Sequence, residues 1–216
     1  MAASRSSNGE SRLSGTLNNT MHILRRQPLD NSVTARIRAV QFLFATSITF
    51  PTFPEFFMTE QTAAITKAGD TAPDFSLAST SGGTITLSAF RNQRHVLLAF
   101  FPLAFTSTCT TELCSFSEEF DQFTGRGIDV LPISVDAVPS LKAYKNAYAL
   151  KVDLLSDFKR AASRAYGVLN DEKFYSNRAY FLIDKAGTVQ WAHVEAHNGL
   201  HRTNADIMQQ IEKLIA

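Results

Sequence analysis

Cys109 stands where a cysteine can act as a nucleophile. An apolar run, residues 96–101, reads as a buried strand, and Leu113, Phe116, Phe120 and Phe123 recur at three- and four-residue steps that mark one helix face. Pro102, Thr106, Ser107 and Thr108 lie between the two, so Cys109 falls in the first turn of the helix. There the unpaired N–H groups and the positive end of the helix dipole favour the thiolate, the reactive form of the side chain. A buried packing cysteine is the bland alternative. Thr106 brings a hydroxyl that can donate or accept. Pro102 ends the strand and shapes the loop. Glu112, three residues after Cys109, caps the helix or pairs with a basic side chain. Arg178 opens a later apolar run; taken alone it reads as a surface arginine at a strand start.

Two rival uses of these residue types are weaker. Cys109 and Cys114 are the only cysteines and lie five positions apart. Such a pair is no secreted disulfide framework, and in a reducing compartment it is catalytic or metal-binding. No further Cys/His pair at zinc spacing completes a metal site. His193, His197 and His201 are spaced by four, but His193 falls at a strand end and Asn198-Gly199 breaks any helix between the others. They read as loop and surface histidines.

The elements that must position these groups follow from residue 69 onward. Gly82-Gly83 is a turn, and Thr84 to Leu87 alternates like a strand. The strand and helix around Cys109 come next, the helix ending near Gly125 and Gly127. Residues 128–135 form a β-run whose Pro132 predicts a bulge or a locally unpaired N–H. Residues 139–150 and 158–166 read as helices, with a short strand over 153–156 between them. Residues 178–184 and 188–194 read as a hairpin around Lys185-Ala-Gly187, and Asn204 as the cap of a last helix through Met208, Ile211 and Leu214. Strands alternating with helices, then a terminal hairpin and helix, predict an α/β protein with a mixed central sheet flanked by helices.

Pro102-x-x-x-Thr106-Ser107-x-Cys109, after a β-run and before an amphipathic helix, resembles the active-site loop of the peroxiredoxins, the alkyl hydroperoxide reductase/thiol-specific antioxidant family. Residues 178–184, Arg-Ala-Tyr-Phe-Leu-Ile-Asp, are similar to the strand that carries the family's catalytic arginine. The similarity runs from about Thr66 to the C-terminus. It implies a thioredoxin-like fold and a thiol peroxidase that needs no metal, flavin or haem. By that resemblance the catalytic residues are Cys109, Thr106, Pro102 and Arg178, with Glu112 at an acidic position of some subfamilies. The substrate would be hydrogen peroxide or an organic hydroperoxide, and Cys109 would pass through a sulfenic acid. The run from Phe101 to Thr106 is similar to the one-cysteine alkyl hydroperoxide reductase E group, whereas Cys114 matches the resolving cysteine of the bacterioferritin-comigratory, or peroxiredoxin Q, group. The latter implies a Cys109–Cys114 disulfide reopened by a thioredoxin-like reductant; the former implies a one-cysteine enzyme using an external thiol. Positions i and i+5 of an intact helix hold their Cα atoms about 8 to 9 Å apart, beyond disulfide reach, so the first pairing requires the helix start to unwind. The family often forms dimers, which predicts a homodimer.

Residues 1–57 differ from the rest. They hold six arginines, three acidic residues and no lysine, whereas the whole chain of 216 residues carries +1, so residues 58–216 carry about −2 by subtraction. Three readings stand for this extension: a transit-like leader, a disordered tail, or a stretch upstream of a true start at Met58. Residues 58–216 form the peroxiredoxin-like domain, placed in the cytoplasm, or in an organelle if the extension is a transit peptide. Near-neutral charge gives no reason to expect nucleic acid, and residues 40–57 are interrupted by Thr, Ser, Pro51 and Pro54, short of a membrane span. Two other classes remain: a non-catalytic thioredoxin-fold interaction module, suggested by 17 phenylalanines with Phe42, Phe44, Phe50, Phe53, Phe56 and Phe57 in the extension, and a thiol-disulfide oxidoreductase, against which the lack of Cys-x-x-Cys counts.

Overall fold

A computed structural model describes residues 64–215; the readings of residues 1–57 lie outside them. Among the described residues nine strands form: β1 (Ser76–Ser79), β2 (Thr84–Thr86), β3 (His95–Phe100), β4 (Ile128–Ser134), β5 (Leu155–Ser156), β6 (Leu169–Asn170), β7 (Tyr175–Ser176), β8 (Ala179–Ile183) and β9 (Val189–Val194). Five α-helices accompany them: α1 (Ser107–Glu118), α2 (Phe120–Gly125), α3 (Val138–Ala147), α4 (Ala161–Ala165) and α5 (Asn204–Ile215). Seven strands share one sheet in the order β2-β1-β5-β4-β3-β8-β9, and β6-β7 is a separate ribbon. β5, β4 and β3 run parallel, while β8 is antiparallel to β3 and β9 to β8. This is the mixed, helix-flanked α/β sheet expected from the element order.

The sheet is covered on both faces because the side chains of β3 alternate. Leu97, Ala99 and Phe101 point into a core with Leu113, Phe116 and Phe123 of α1 and α2, Leu141 and Tyr144 of α3, and Ile207 and Ile211 of α5. Val96, Leu98 and Phe100 point the other way, into a core with Phe75, Leu131, Phe181 and Tyr166. A strand buried on both sides reads as an unbroken apolar run rather than an alternating one. That is why residues 96–101 were legible as interior.

Local expectations are corrected in three places, and the choice left open at Pro132 is decided. The helix after Cys109 breaks at Glu119 (φ −99°, ψ 17°), giving α1 and α2 in place of one element. The helix expected over 158–166 shrinks to α4, because Arg160 is left-handed at φ 60° and the buried Asp157 carboxylate accepts from the N–H groups of Ala162 and Ser163 at 3.1 and 2.7 Å. Thr203, not Asn204, caps α5: its hydroxyl accepts from Asp206 N–H at 3.1 Å, and the Asp206 carboxylate accepts from Thr203 N–H at 3.3 Å. Pro132 makes no bulge, since β3 and β4 stay in register through it. Ile133 C=O accepts from Phe101 on the β3 side, so Pro132, one residue earlier, turns its missing N–H towards β5, whose pairing starts only at Ile133.

Candidate active site

The site is built at the C-terminal end of β3, where the chain turns into α1. Pro102 is buried two residues past the end of β3. The loop is pinned from the neighbouring strand: Asp136, just past β4, accepts from Ala104 N–H at 2.9 Å and from the Ser134 hydroxyl at 2.8 Å. Phe105 takes φ 63°, a left-handed turn unusual for a bulky residue, and it aims the chain into the helix. The residue is 54% exposed, yet its ring centroid lies 4.8 Å from that of Tyr144. Thr106 is the N-cap residue of α1 with extended backbone, but its hydroxyl makes no cap; it donates to Leu103 C=O at 2.9 Å. Its lone pairs therefore remain to accept.

Cys109 is the third residue of α1 and is buried, at 1% exposure. Arg178, immediately before β8, is fully buried beside it. Arg178 Nη2 donates to Cys109 Sγ at 3.1 Å and to Asn198 C=O at 3.3 Å, and Nη1 donates to Glu112 Oε2. The helix makes this possible: Cys109 and Glu112 are three residues apart and share a face, so one planar guanidinium reaches both. Arg178 Nε is buried with no hydrogen-bond partner among the described residues. The backbone N–H of Arg178 donates to Asn198 Oδ1 at 2.9 Å, which fixes the base of the side chain.

Glu112 is held from a second side by the Tyr180 hydroxyl, which donates to Oε1. Burial pushes the Glu112 carboxyl up to about 7, while Arg178 and Tyr180 pull it down. Burial takes from the Arg178 charge, but Glu112 and the Cys109 sulfur more than return it, and the guanidinium is held above its ordinary value.

Of the sequence-derived site residues, the structure brings Cys109, Glu112 and Arg178 together and sets Thr106 and Pro102 in the adjoining loop. Cys114 is not brought to Cys109. Both are free thiols on one continuous helix, and Cys114, half-buried, lines a cleft of about 350 Å³ with Ser117, Glu118, Tyr148, Ala149 and Lys151. Burial, then Glu118, pushes its thiol up. Sequence reasoning missed Tyr180. The signal was available: in a strand, positions i and i+2 face the same way, so whatever Arg178 faces, Tyr180 faces too. It also missed Asp136 and Asn198, which reach the site from loops and have no periodicity to reveal them.

Residues 68–192 match the family model described as AhpC/TSA family. The chain belongs to that family, the peroxiredoxins, and is a peroxidase enzyme. It is 37% identical over 129 residues to alkyl hydroperoxide reductase E of Mycobacterium tuberculosis, covering 59% of this chain and 84% of the relative. It is 35% identical over 130 residues to peroxiredoxin Bcp of Escherichia coli, covering 57% and 83%. Among solved structures, the reduced 2-Cys peroxiredoxin of Plasmodium vivax superposes with a TM-score of 0.65 at 32% identity, covering 69% of this chain and 82% of that one. Relatives named for the E group and for Bcp are thus both represented. Membership of an enzyme family removes the interaction-module alternative. No helix among the described residues is long and apolar enough to cross a membrane.

Proposed function

We propose that this peroxiredoxin reduces hydrogen peroxide and organic hydroperoxides at Cys109. The Cys109 thiolate attacks the terminal oxygen of the hydroperoxide. An S–O bond forms, the O–O bond breaks, and the leaving oxygen takes up the proton that the Cys109 thiol released and departs as water or alcohol, leaving a sulfenic acid. The observation that carries the reading is the 3.1 Å contact from Arg178 Nη2 to Cys109 Sγ within a buried site. A fixed cation there favours the thiolate and meets the charge that develops on the departing oxygen. Thr106, its proton committed to Leu103, is suited to accept from the hydroperoxide O–H. Pro102 walls the thiolate from water.

In the second half-reaction Cys114 attacks the sulfenic sulfur, an S–S bond forms and water leaves. A thioredoxin-like dithiol then supplies two electrons and restores both thiols. Since both cysteines lie on α1, the turn between them must open in each cycle. The intact helix also supports the one-cysteine alternative, in which an external thiol meets the sulfenic acid. A homodimer and a cytoplasmic location, or an organellar one if residues 1–57 are a transit peptide, complete the proposal.

Stopped-flow mixing of the reduced protein with hydrogen peroxide, followed by intact mass, tests it. A fast second-order reaction ending in the loss of two hydrogens is expected. A gain of one oxygen establishes the one-cysteine course instead. A rate no faster than that of a free thiol, or undiminished turnover in Cys109→Ser, overturns the peroxidase reading.

A further inference from the structure

We propose that Tyr180 is a positioning residue of the peroxide-reducing centre, its buried hydroxyl holding Glu112 and, through it, Arg178 against Cys109. This inference rests on the reading of Cys109 as the peroxide-reactive thiol.

The direction of each hydrogen bond is fixed by chemistry. Arg202 N–H can only donate, and it donates to the Tyr180 oxygen at 3.0 Å. The single phenolic proton is therefore free to go to Glu112 Oε1 and has no other acceptor among the described residues. Glu112 in turn presents Oε2 to Arg178 Nη1, and Arg178 presents Nη2 to Cys109 Sγ. Behind Tyr180 the chain of contacts closes on itself. Arg202 Nε and Nη2 donate to the two oxygens of Glu195 at 2.8 and 3.4 Å, and Glu195 N–H donates to Arg178 C=O at 2.9 Å. Arg178 is thus gripped at its backbone and at its guanidinium by one ring of contacts that passes through Tyr180.

The ring plane of Tyr180 is fixed as well. Tyr180 lies opposite His193 across the β8–β9 pair, and His193 and Trp191 share one face of β9. The rings stack, Tyr180 to Trp191 at 6.2 Å and 22° and Tyr180 to His193 at 6.4 Å and 26°. The side chain is fully buried, so neither ring nor hydroxyl has another place to settle. A phenol in this setting does nothing for packing that phenylalanine could not do. Its hydroxyl is accounted for only by Glu112 and Arg202.

Tyr180→Phe removes the hydroxyl and keeps the ring. We expect the second-order rate constant with hydrogen peroxide to fall about tenfold in the full-length protein. In an Arg178→Lys background, where Cys109 no longer faces the guanidinium, the same change should cost less than twofold, because Tyr180 acts through Arg178. Replacement of Tyr180 by 3-fluorotyrosine, a near-isosteric and stronger donor, should raise the rate at pH 6 by favouring the ionised form of Glu112 over the protonated one. The charged and titratable groups that bear on Glu112 there are Arg178, Tyr180 and Glu195. An unchanged rate in Tyr180→Phe, or equal losses in both backgrounds, overturns the inference; if Tyr180→Phe does not fold, an unchanged rate with 3-fluorotyrosine overturns it. Wild-type protein that does not outpace a free thiol instead removes the peroxidase reading beneath it.

Discussion

Arg178 reaches Cys109 from a different element of the fold, donating from Nη2 to Sγ at 3.1 Å with both side chains buried. The two residues are 69 positions apart in sequence, and their meeting depends on β3 and β8 being adjacent antiparallel neighbours. Phe100, the last residue of β3, pairs with Ala179, the first of β8, so the chain leaves one strand where it enters the other. The cysteine loop and the arginine are therefore brought to the same end of the sheet by register alone.

Arg178→Lys should lower the second-order rate constant with hydrogen peroxide by about a hundredfold, roughly 3 kcal/mol of transition-state stabilisation. An ammonium is a single point of charge and cannot span both Cys109 and Glu112. Stopped-flow fluorescence of Trp191, the only tryptophan, reads the rate. A loss under threefold would show that the planar fork is dispensable.

Glu112 makes folding stability depend on pH. Its folded value, about 7, lies above the ordinary 4.5, so between these limits the folded protein binds more protons than the unfolded chain. Stability from this group is full below pH 4.5 and is lost as pH rises through about 7. The urea midpoint of wild type should fall relative to that of Glu112→Gln as pH rises through this range. A difference that does not change with pH would mean that Arg178 and Tyr180 keep the carboxylate ionised throughout.

Asp136→Ala should release the active-site loop, since Ala104 N–H and the Ser134 hydroxyl lose their acceptor. We expect a loss of about 1 to 3 kcal/mol in stability together with slower peroxide reduction. Denaturant titration and stopped-flow kinetics on the same sample check both. Loss of stability at full peroxide reactivity would show that the loop keeps its geometry without this anchor.

If Cys114 captures the sulfenic acid, oxidation should speed backbone hydrogen exchange over residues 106–116, because the intervening helical turn cannot close the disulfide. Cys114→Ser should remove that change without removing the first peroxide reaction. Equal exchange in reduced and oxidised wild type would rule the intramolecular disulfide out.

Much of this was legible in the chain. The Pro102–Cys109 loop and the buried strand before it gave the nucleophile, since both signals are local: spacing along a few residues and an apolar run. The arginine could be placed only by resemblance, because nothing around Arg178 marks a buried cation. Its compensation lies in Glu112, on another element. The role of Glu112 was open between cap and ion pair, and the choice depended on a contact between residues 112 and 178 that no periodicity encodes. Asn204 looked like a cap because it is a good capping residue. It opens the helix instead, donating from Nδ2 to Ser115 C=O at 2.9 Å, a tertiary demand that outweighed local preference.

The break at Glu119 has a mechanical meaning. Helical order is cooperative, so unwinding begun at one end of an unbroken helix tends to run along it. Here the helix is broken at Glu119, whose N–H still donates to Ser115 C=O at 3.1 Å, and Phe123 of the second piece is buried in the core with its ring 5.8 Å from that of Phe116. If the first turns melt and re-form around the two cysteines, the break at Glu119 marks where that unwinding can stop.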